Sequence, residues 1–214
     1  MFEDALSKKA QAILSRLSAY LTEWDFYLAA GSGLAFQIGH RFSEDLDFFC
    51  QETFDAQRLS QLLEDQEGHL RYILQEQHTL IVAYENVLLS FFKYSVPLIF
   101  PLVTILGIPV ADWRDILAEK FKTLSQRGSK KDFYDLYEIF AFGHLTIQEG
   151  TDLFKRRFQN TGINFYHVLR SLTYFEDAEG DPEPRLLLHS YEWKEVKGFF
   201  KNHIREFEHR LLES

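Results

Sequence analysis

A run of small residues, Ala30-Gly31-Ser32-Gly33, is followed by the apolar segment Asp45-Leu46-Asp47-Phe48-Phe49, with twelve residues between Ser32 and Asp45. On a strand, alternate side chains face the same way. Leu46 and Phe48 are therefore expected in the core, with Asp45 and Asp47 together on the other face. Two adjacent carboxylates repel each other unless a cation lies between them. Hard oxygen ligands at this spacing suit Mg²⁺ carrying a nucleotide's phosphates. Gly31 and Ser32 sit where a strand turns into a helix; there the backbone can approach an anion, and free N–H groups favour it. A Gly-Ser turn alone is also an ordinary helix start, and a lone Asp-x-Asp is common on surface strands. The combination of strand, small-residue turn, helix and acidic strand points to phosphoryl or nucleotidyl transfer.

The surrounding pattern supplies a frame for this unit. Apolar residues at helical spacing predict a helix over 2–21. A strand is expected over 25–30, a helix from Ser32 to Gly39, a strand over 45–50 and a helix from the Asp55 cap to Glu64. Residues 69–76, 79–84 and 87–94 read as three strands rich in β-formers. Pro97, Pro101, Gly107 and Pro109 then break regular structure. Beyond them the pattern is helical: 112–126, 130–142, 146–159, 164–174 and 191–212, with an acidic loop over 177–184. The expected class is α/β (α+β), with a mixed-sheet nucleotide-handling domain over 1–108 and a helical domain over 109–214 that completes the cleft.

With 214 residues and 46% apolar content, the chain can bury a real core. No apolar run approaches the ~20 residues of a membrane helix, so no membrane association is expected. The acidic Met1-Phe2-Glu3-Asp4 start does not suit a signal peptide. A lone cysteine, Cys50, forms no internal disulfide and fits a reducing cytoplasm. The net charge of −9 argues against a general nucleic-acid coat. It is unevenly spread. Residues 1–112 hold 7 Lys and Arg against 15 Asp and Glu, whereas residues 113–131 hold six basic groups against two acids. Such a basic stretch can serve a polyanionic substrate, and it is expected to face the aspartates across the cleft.

The Gly31-Ser32 to Asp45-x-Asp47 spacing resembles the DNA polymerase β-like nucleotidyltransferase superfamily. A second segment narrows the resemblance: Lys120 on one helix, an Arg127-Gly128 turn, then Lys131-Asp132-x-x-Asp135-Leu136 at a helix start. These residues look like the AbiEii/AbiGii-type toxin nucleotidyltransferases, with Lys131 in place of the more usual Arg. Phe91-Phe92-Lys93-Tyr94 and Gly107-Ile108-Pro109-Val110 also match that family's wording. The resemblance covers roughly residues 25–140. It implies an NTP substrate and Mg²⁺ or Mn²⁺ held by Asp45 and Asp47. Gly31 and Ser32 would hold the β- and γ-phosphates. Lys120 and Lys131 would contact the nucleotide, and Asp132 would be the essential acid of the second cluster. Asp135 and Arg127 would give support. The 3′ end of a tRNA as acceptor and a cognate antitoxin as partner are further implications.

Other readings of the same residues stay open. Ser129 and Asp132 also spell a capping box. Lys131 and Asp135 are spaced for a surface ion pair. His40 and Arg41, in the loop just before the aspartates, lie where a basic group could touch a triphosphate, but read first as exposed loop charge. The superfamily's third strand carboxylate is missing, with Ser90 at the matching position: either Asp132 supplies a carboxylate, or the substrate or water deprotonates the acceptor, or the chemistry is impaired. A transferase acting on small molecules such as antibiotics, and a non-catalytic nucleotide-binding member of the fold, are the rival functions.

Overall fold

The computed structural model describes residues 2–66 and 68–213. Among them, one mixed sheet runs in the order β3-β4-β5-β2-β1-β7-β6. The strands are β1 (Tyr27–Leu28), β2 (Leu46–Cys50), β3 (Leu70–Glu76), β4 (Thr79–Tyr84), β5 (Val87–Lys93), β6 (Val103–Ile105) and β7 (Ile108–Val110). The central strand β2 pairs parallel with β5 and antiparallel with β1. The β3–β4–β5 meander fills one side and the β6–β7 hairpin the other, with β7 parallel to β1.

The hairpin lies where the prolines and Gly107 suggested only broken structure. Pro109 is accommodated because β7, though interior, pairs with β1 at Leu28↔Val110 alone, so no ladder partner on that side calls for the N–H that proline lacks. The sheet therefore extends to Val110, and β7 straddles the expected division at 108/109.

Helix α1 (Lys8–Glu23) starts later than its apolar pattern suggested, at a Ser7 cap, after a short 3-10 turn over Glu3–Ala5. Helix α2 (Ala30–Ile38) follows β1 directly and ends at Gly39, whose φ of 71° is left-handed. Asp55 caps α3 (Ala56–Glu64) by accepting from two backbone amides.

The second half is helical: α4 (Trp113–Gln126), α5 (Lys130–Ala141), α6 (Ile147–Phe158), α7 (Phe165–Ser171), the short α8 (Glu176–Glu179), which overlaps the start of the expected acidic loop, and α9 (Trp193–Leu212). Thr146 and Glu149 form a capping box at α6.

Two apolar clusters divide the interior. One lies under the sheet and includes Leu46, Phe48, Leu89 and Phe91 with the inner faces of α1 and α3. Phe48 stacks on Phe91 with ring centroids 5.0 Å apart. Burying each such ring contributes about 1.5–3 kcal/mol. The other cluster fills the helical half, yet it also takes in Tyr27 from β1, Ala29 from the turn after it, and Leu34 and Ile38 from α2. The two halves thus share α2, which lies against α4 and α5. Arg157 on α6 donates to Asp115 Oδ1 at 2.7 Å, and Asp115 accepts the amides of Ile99 and Phe100, which fixes the crossing segment.

Candidate active site

Asp47 occupies the middle of β2, with Leu46 and Phe48 buried on the opposite face. Asp45 is exposed and lies just before the strand. The β2–β5 register places Ser90 opposite Asp47. Burial pushes the Asp47 carboxyl above its ordinary value and the charge of Asp45 adds to this; Ser90, Lys120 and Arg127 oppose it. The charges of Lys120 and Arg127, from the helical half, thus reach Asp47. A half-buried carboxylate with a second acid beside it is the donor set a divalent cation relieves. Among the described residues, no group of three or more His, Cys, Asp and Glu is arranged around a common metal position, so Asp45 and Asp47 would be the protein's share of any cation's coordination.

The turn into α2 is a strained backbone. Ala30 has φ of 51°, a left-handed conformation that costs a non-glycine residue roughly 1–2 kcal/mol. Ala29 donates its N–H to the Asp47 carbonyl at 3.0 Å, which holds the turn against the acidic strand. No side chain caps α2, and amides in a first helical turn have no carbonyl one turn back. These amides suit an anion. The Ser32 side chain is buried and is committed elsewhere: its hydroxyl bonds to the Asp45 carbonyl and lies 2.8 Å from Ser43 Oγ. Ser32 thereby clips the loop that presents Asp45. What the turn offers an anion is its backbone, through Gly31 and its neighbours.

Beneath the turn lies a buried ionic network that joins the two halves. Lys120 Nζ is 2.6 Å from Asp132 Oδ1 and 2.6 Å from Asp135 Oδ2. Asp132 Oδ2 accepts from Ser129 Oγ at 2.8 Å and from Arg127 Nε at 3.3 Å. Asp135 also accepts from Arg41 Nε at 2.6 Å, from Arg41 Nη2 at 3.0 Å and from His40 Nε2 at 2.7 Å. Arg41 and His40 are at most 2% exposed, which corrects the expectation of exposed loop charge. They are inside because the carboxylate of Asp135, on the buried face of α5, gives them partners. Burial alone would raise Asp132 and Asp135. Lys120 and Arg127 outweigh it at Asp132, as Arg41 and Lys120 do at Asp135, and both carboxyls stay below their usual range, Asp135 well below. Burial alone would also lower Lys120; Asp132 and Asp135 outweigh it and raise the ammonium. Burial lowers His40 despite Asp135.

Two alternative readings of this segment do not hold. Ser129 caps no amide; its hydroxyl goes to the Asp132 carboxylate instead. The partners of Asp135 are Lys120, Arg41 and His40, whereas Lys131 lies exposed on the outer face of α5. The basic stretch over 113–131 is also largely neutralised from within. Arg114 pairs with Asp112, Lys122 with Glu119, and Lys130 with Glu183. Lys120 is in the network, leaving Arg127 and Lys131 as the exposed basic groups of that stretch.

A segment from the chain's last third braces the network. Asp181 Oδ2 accepts the Lys130 amide at 2.9 Å at the start of α5. Phe42 N–H donates to the Arg185 carbonyl and Leu187 N–H to the His40 carbonyl. Farther on, Glu138 accepts from Tyr191 Oη at 2.8 Å and lies 2.7 Å from His189 Nδ1.

Asp47 on β2 with Asp45 just before it, an adjoining helix whose N-terminus suits an anion, and a lysine from the helical half form the arrangement expected of a nucleotidyltransferase. A family model described as "Nucleotidyl transferase AbiEii toxin, Type IV TA system" matches residues 12–209, and the chain belongs to this family. The family implies an NTP substrate and an antitoxin partner. An Aquifex aeolicus (strain VF5) protein, "Uncharacterized protein aq_aa25", is 38% identical over 191 residues, covering 86% of this chain and 88% of that one. Two solved structures share the fold. JHP933 from Helicobacter pylori has a TM-score of 0.55 at 18% identity, covering 96% of this chain and 94% of its own. A candidate nucleotidyltransferase from H. pylori has a TM-score of 0.56 at 17% identity, covering 96% and 97%.

Proposed function

We propose that this nucleotidyltransferase moves a nucleoside monophosphate from an NTP to an acceptor hydroxyl in a Mg²⁺-dependent reaction, with the 3′ end of a tRNA as acceptor. The observation that carries the reading is Asp47: a half-buried carboxylate on β2, beside Asp45 and within reach of the charges of Lys120 and Arg127. Asp45 and Asp47 would hold the cation, and the backbone at Gly31 would receive the triphosphate tail. A bound Mg²⁺ supplies charge neutralisation and geometry for in-line displacement. Lys120 Nζ donates to Asp132 and lies 2.6 Å from Asp135, and its remaining N–H capacity would go to a phosphate oxygen. Asp132 has both oxygens engaged and a carboxyl below its usual range, so its role is to hold Lys120 rather than to take a proton. Deprotonation of the acceptor falls to the substrate or to water. The nucleotidyltransferase unit over 1–108 and the helical unit over 109–214 would form the cleft, in a cytoplasmic protein. No helix among the described residues is long and apolar enough to cross a membrane.

The internal neutralisation of the basic stretch favours a second reading, in which the acceptor is a small hydroxylated molecule such as an antibiotic. Within residues 113–131 a tRNA acceptor would then find only Arg127 and Lys131 as exposed cations. Incubation with each α-labelled NTP and total tRNA separates the two. Label is expected in RNA of tRNA length, lost with Asp45→Ala/Asp47→Ala. Label only in a small hydroxylated acceptor would remove the tRNA reading and keep the transferase.

A further inference from the structure

The Arg41 guanidinium lies against the backbone of Gly31. A Cβ placed on Gly31 would come within 2.6 Å of Arg41 Nη2. The same guanidinium forks onto both oxygens of Asp135, and Nη1 donates to the Phe42 carbonyl at 3.2 Å. Asp135 in turn holds Lys120. One carboxylate on α5 thus locates both the lysine of α4 and the floor of the turn into α2. The charges balance inside the network, Lys120 and Arg41 against Asp132 and Asp135. Arg41 is 2% exposed and is not presented to a ligand. His40 bonds the same Asp135 oxygen through Nε2 and leaves Nδ1 without a hydrogen-bond partner among the described residues.

We propose that Arg41, clamped by Asp135, is a positioning residue that sets the Gly31 phosphate turn at a fixed distance from Lys120, so that the helical half dictates the geometry of nucleotide binding in the sheet half. This rests on the nucleotidyl-transfer reading of the site. A lysine at position 41 keeps the charge but cannot make the two-pronged contact or fill the floor under Gly31. Misplacing a binding turn by about 1 Å costs up to about a hundredfold in function.

The test is calorimetric titration of wild type, Arg41→Lys, Gly31→Ala and the double variant with each of ATP, GTP, CTP and UTP in the presence of Mg²⁺, after circular dichroism confirms folding. Arg41→Lys is expected to weaken the best-bound nucleotide about tenfold or more. Gly31→Ala is expected to do the same, because its methyl collides with Nη2. The double variant should bind no more weakly than the worse single one, since the colliding atom is gone; such non-additivity marks a shared cause. A Kd within twofold of wild type for folded Arg41→Lys or for Gly31→Ala overturns the positioning role, as does full multiplication of the two losses. Should Arg41→Lys fail to fold, Gly31→Ala alone decides. A wild type that binds none of the four nucleotides defeats the reading of the site itself, a result distinct from the others.

Discussion

Asp47→Asn is expected to reduce Mg²⁺-dependent pyrophosphate release by about 10²–10³-fold or more, the scale of removing one preorganised electrostatic group, without destabilising the protein. The second half of that expectation separates a working acid from a structural one. Asp47 is half-buried, and burial raises its carboxyl above its ordinary value, with the neighbouring Asp45 adding to the rise. A raised native value means the folded chain holds the proton more tightly than the unfolded chain. The stabilisation from protonation is complete in acid and is lost as pH rises through the native value. At neutral pH, ionised Asp47 is therefore a net cost to folding. Asparagine keeps the shape opposite Ser90 without the charge. The variant should melt at or above the wild-type temperature, with the difference growing from pH 4 toward pH 7. Mg²⁺ should raise the melting temperature of wild type but not of the variant, since a ligand that binds only the folded state stabilises it. Scanning calorimetry with and without Mg²⁺, beside a pyrophosphate assay, checks all three. A marked fall in melting temperature would make Asp47 a structural residue, and a wild-type rate would remove it from the reaction.

Period-two patterning makes the acidic strand legible from sequence, because Leu46 and Phe48 must be buried and their neighbours then face outward together. Helical spacing likewise makes α4 and α5 legible. What escapes is anything decided by a distant partner. His40 and Arg41 read as exposed loop charge because their partner, Asp135, is 95 and 94 residues away. One signal was available: Asp132 and Asp135 fall on the same helical face as Leu136 and Ile139, all of them buried. Acids on an apolar stripe require buried cations, and a His-Arg pair inside the spacer before Asp45 is the natural source. The β6–β7 hairpin escapes for a different reason, since Pro109 and Gly107 argue against a strand unless the brief pairing of β7 with β1 is known. The excess positive charge over 113–131 is real in the sequence, yet Asp112, Glu119 and Glu183 absorb much of it in the fold. The bracing segment around Asp181 to Tyr191 carries no motif, because it works largely through backbone hydrogen bonds and acids that finish networks begun elsewhere.

Asp135→Ala is expected to cost about 3–5 kcal/mol, the penalty for leaving a buried charge without its partner. Asp135 is fully buried and accepts from Arg41, Lys120 and His40. Its removal leaves Lys120 and Arg41 facing Asp132 alone inside the network. Asp135→Asn should be nearly as damaging, since it keeps the volume but not the charge, and its amide group would face cationic donors. Arg41→Met added to Asp135→Asn should recover part of the loss. That pair of changes leaves Lys120 balanced by Asp132 and replaces the remaining ions with neutral groups of similar size. Nucleotide affinity should not recover with it, because the floor under Gly31 is then no longer a guanidinium clamped to α5. The pH dependence has a definite sign. Arg41 and Lys120, against the opposing effect of burial, hold the Asp135 carboxyl well below its usual value. A depressed native value stabilises the fold at every pH above the unfolded value of about 3.9, and this stabilisation is lost as pH falls below that toward the native value. Wild type should therefore lose stability steeply below about pH 4, whereas Asp135→Asn should be much flatter there, starting from a lower plateau. Urea denaturation of wild type, Asp135→Asn and Asp135→Asn/Arg41→Met from pH 3 to pH 7 measures the plateau, the slope and the recovery. A single variant as stable as wild type at neutral pH, or a double variant less stable than the single one, would show that charge balance does not govern this network.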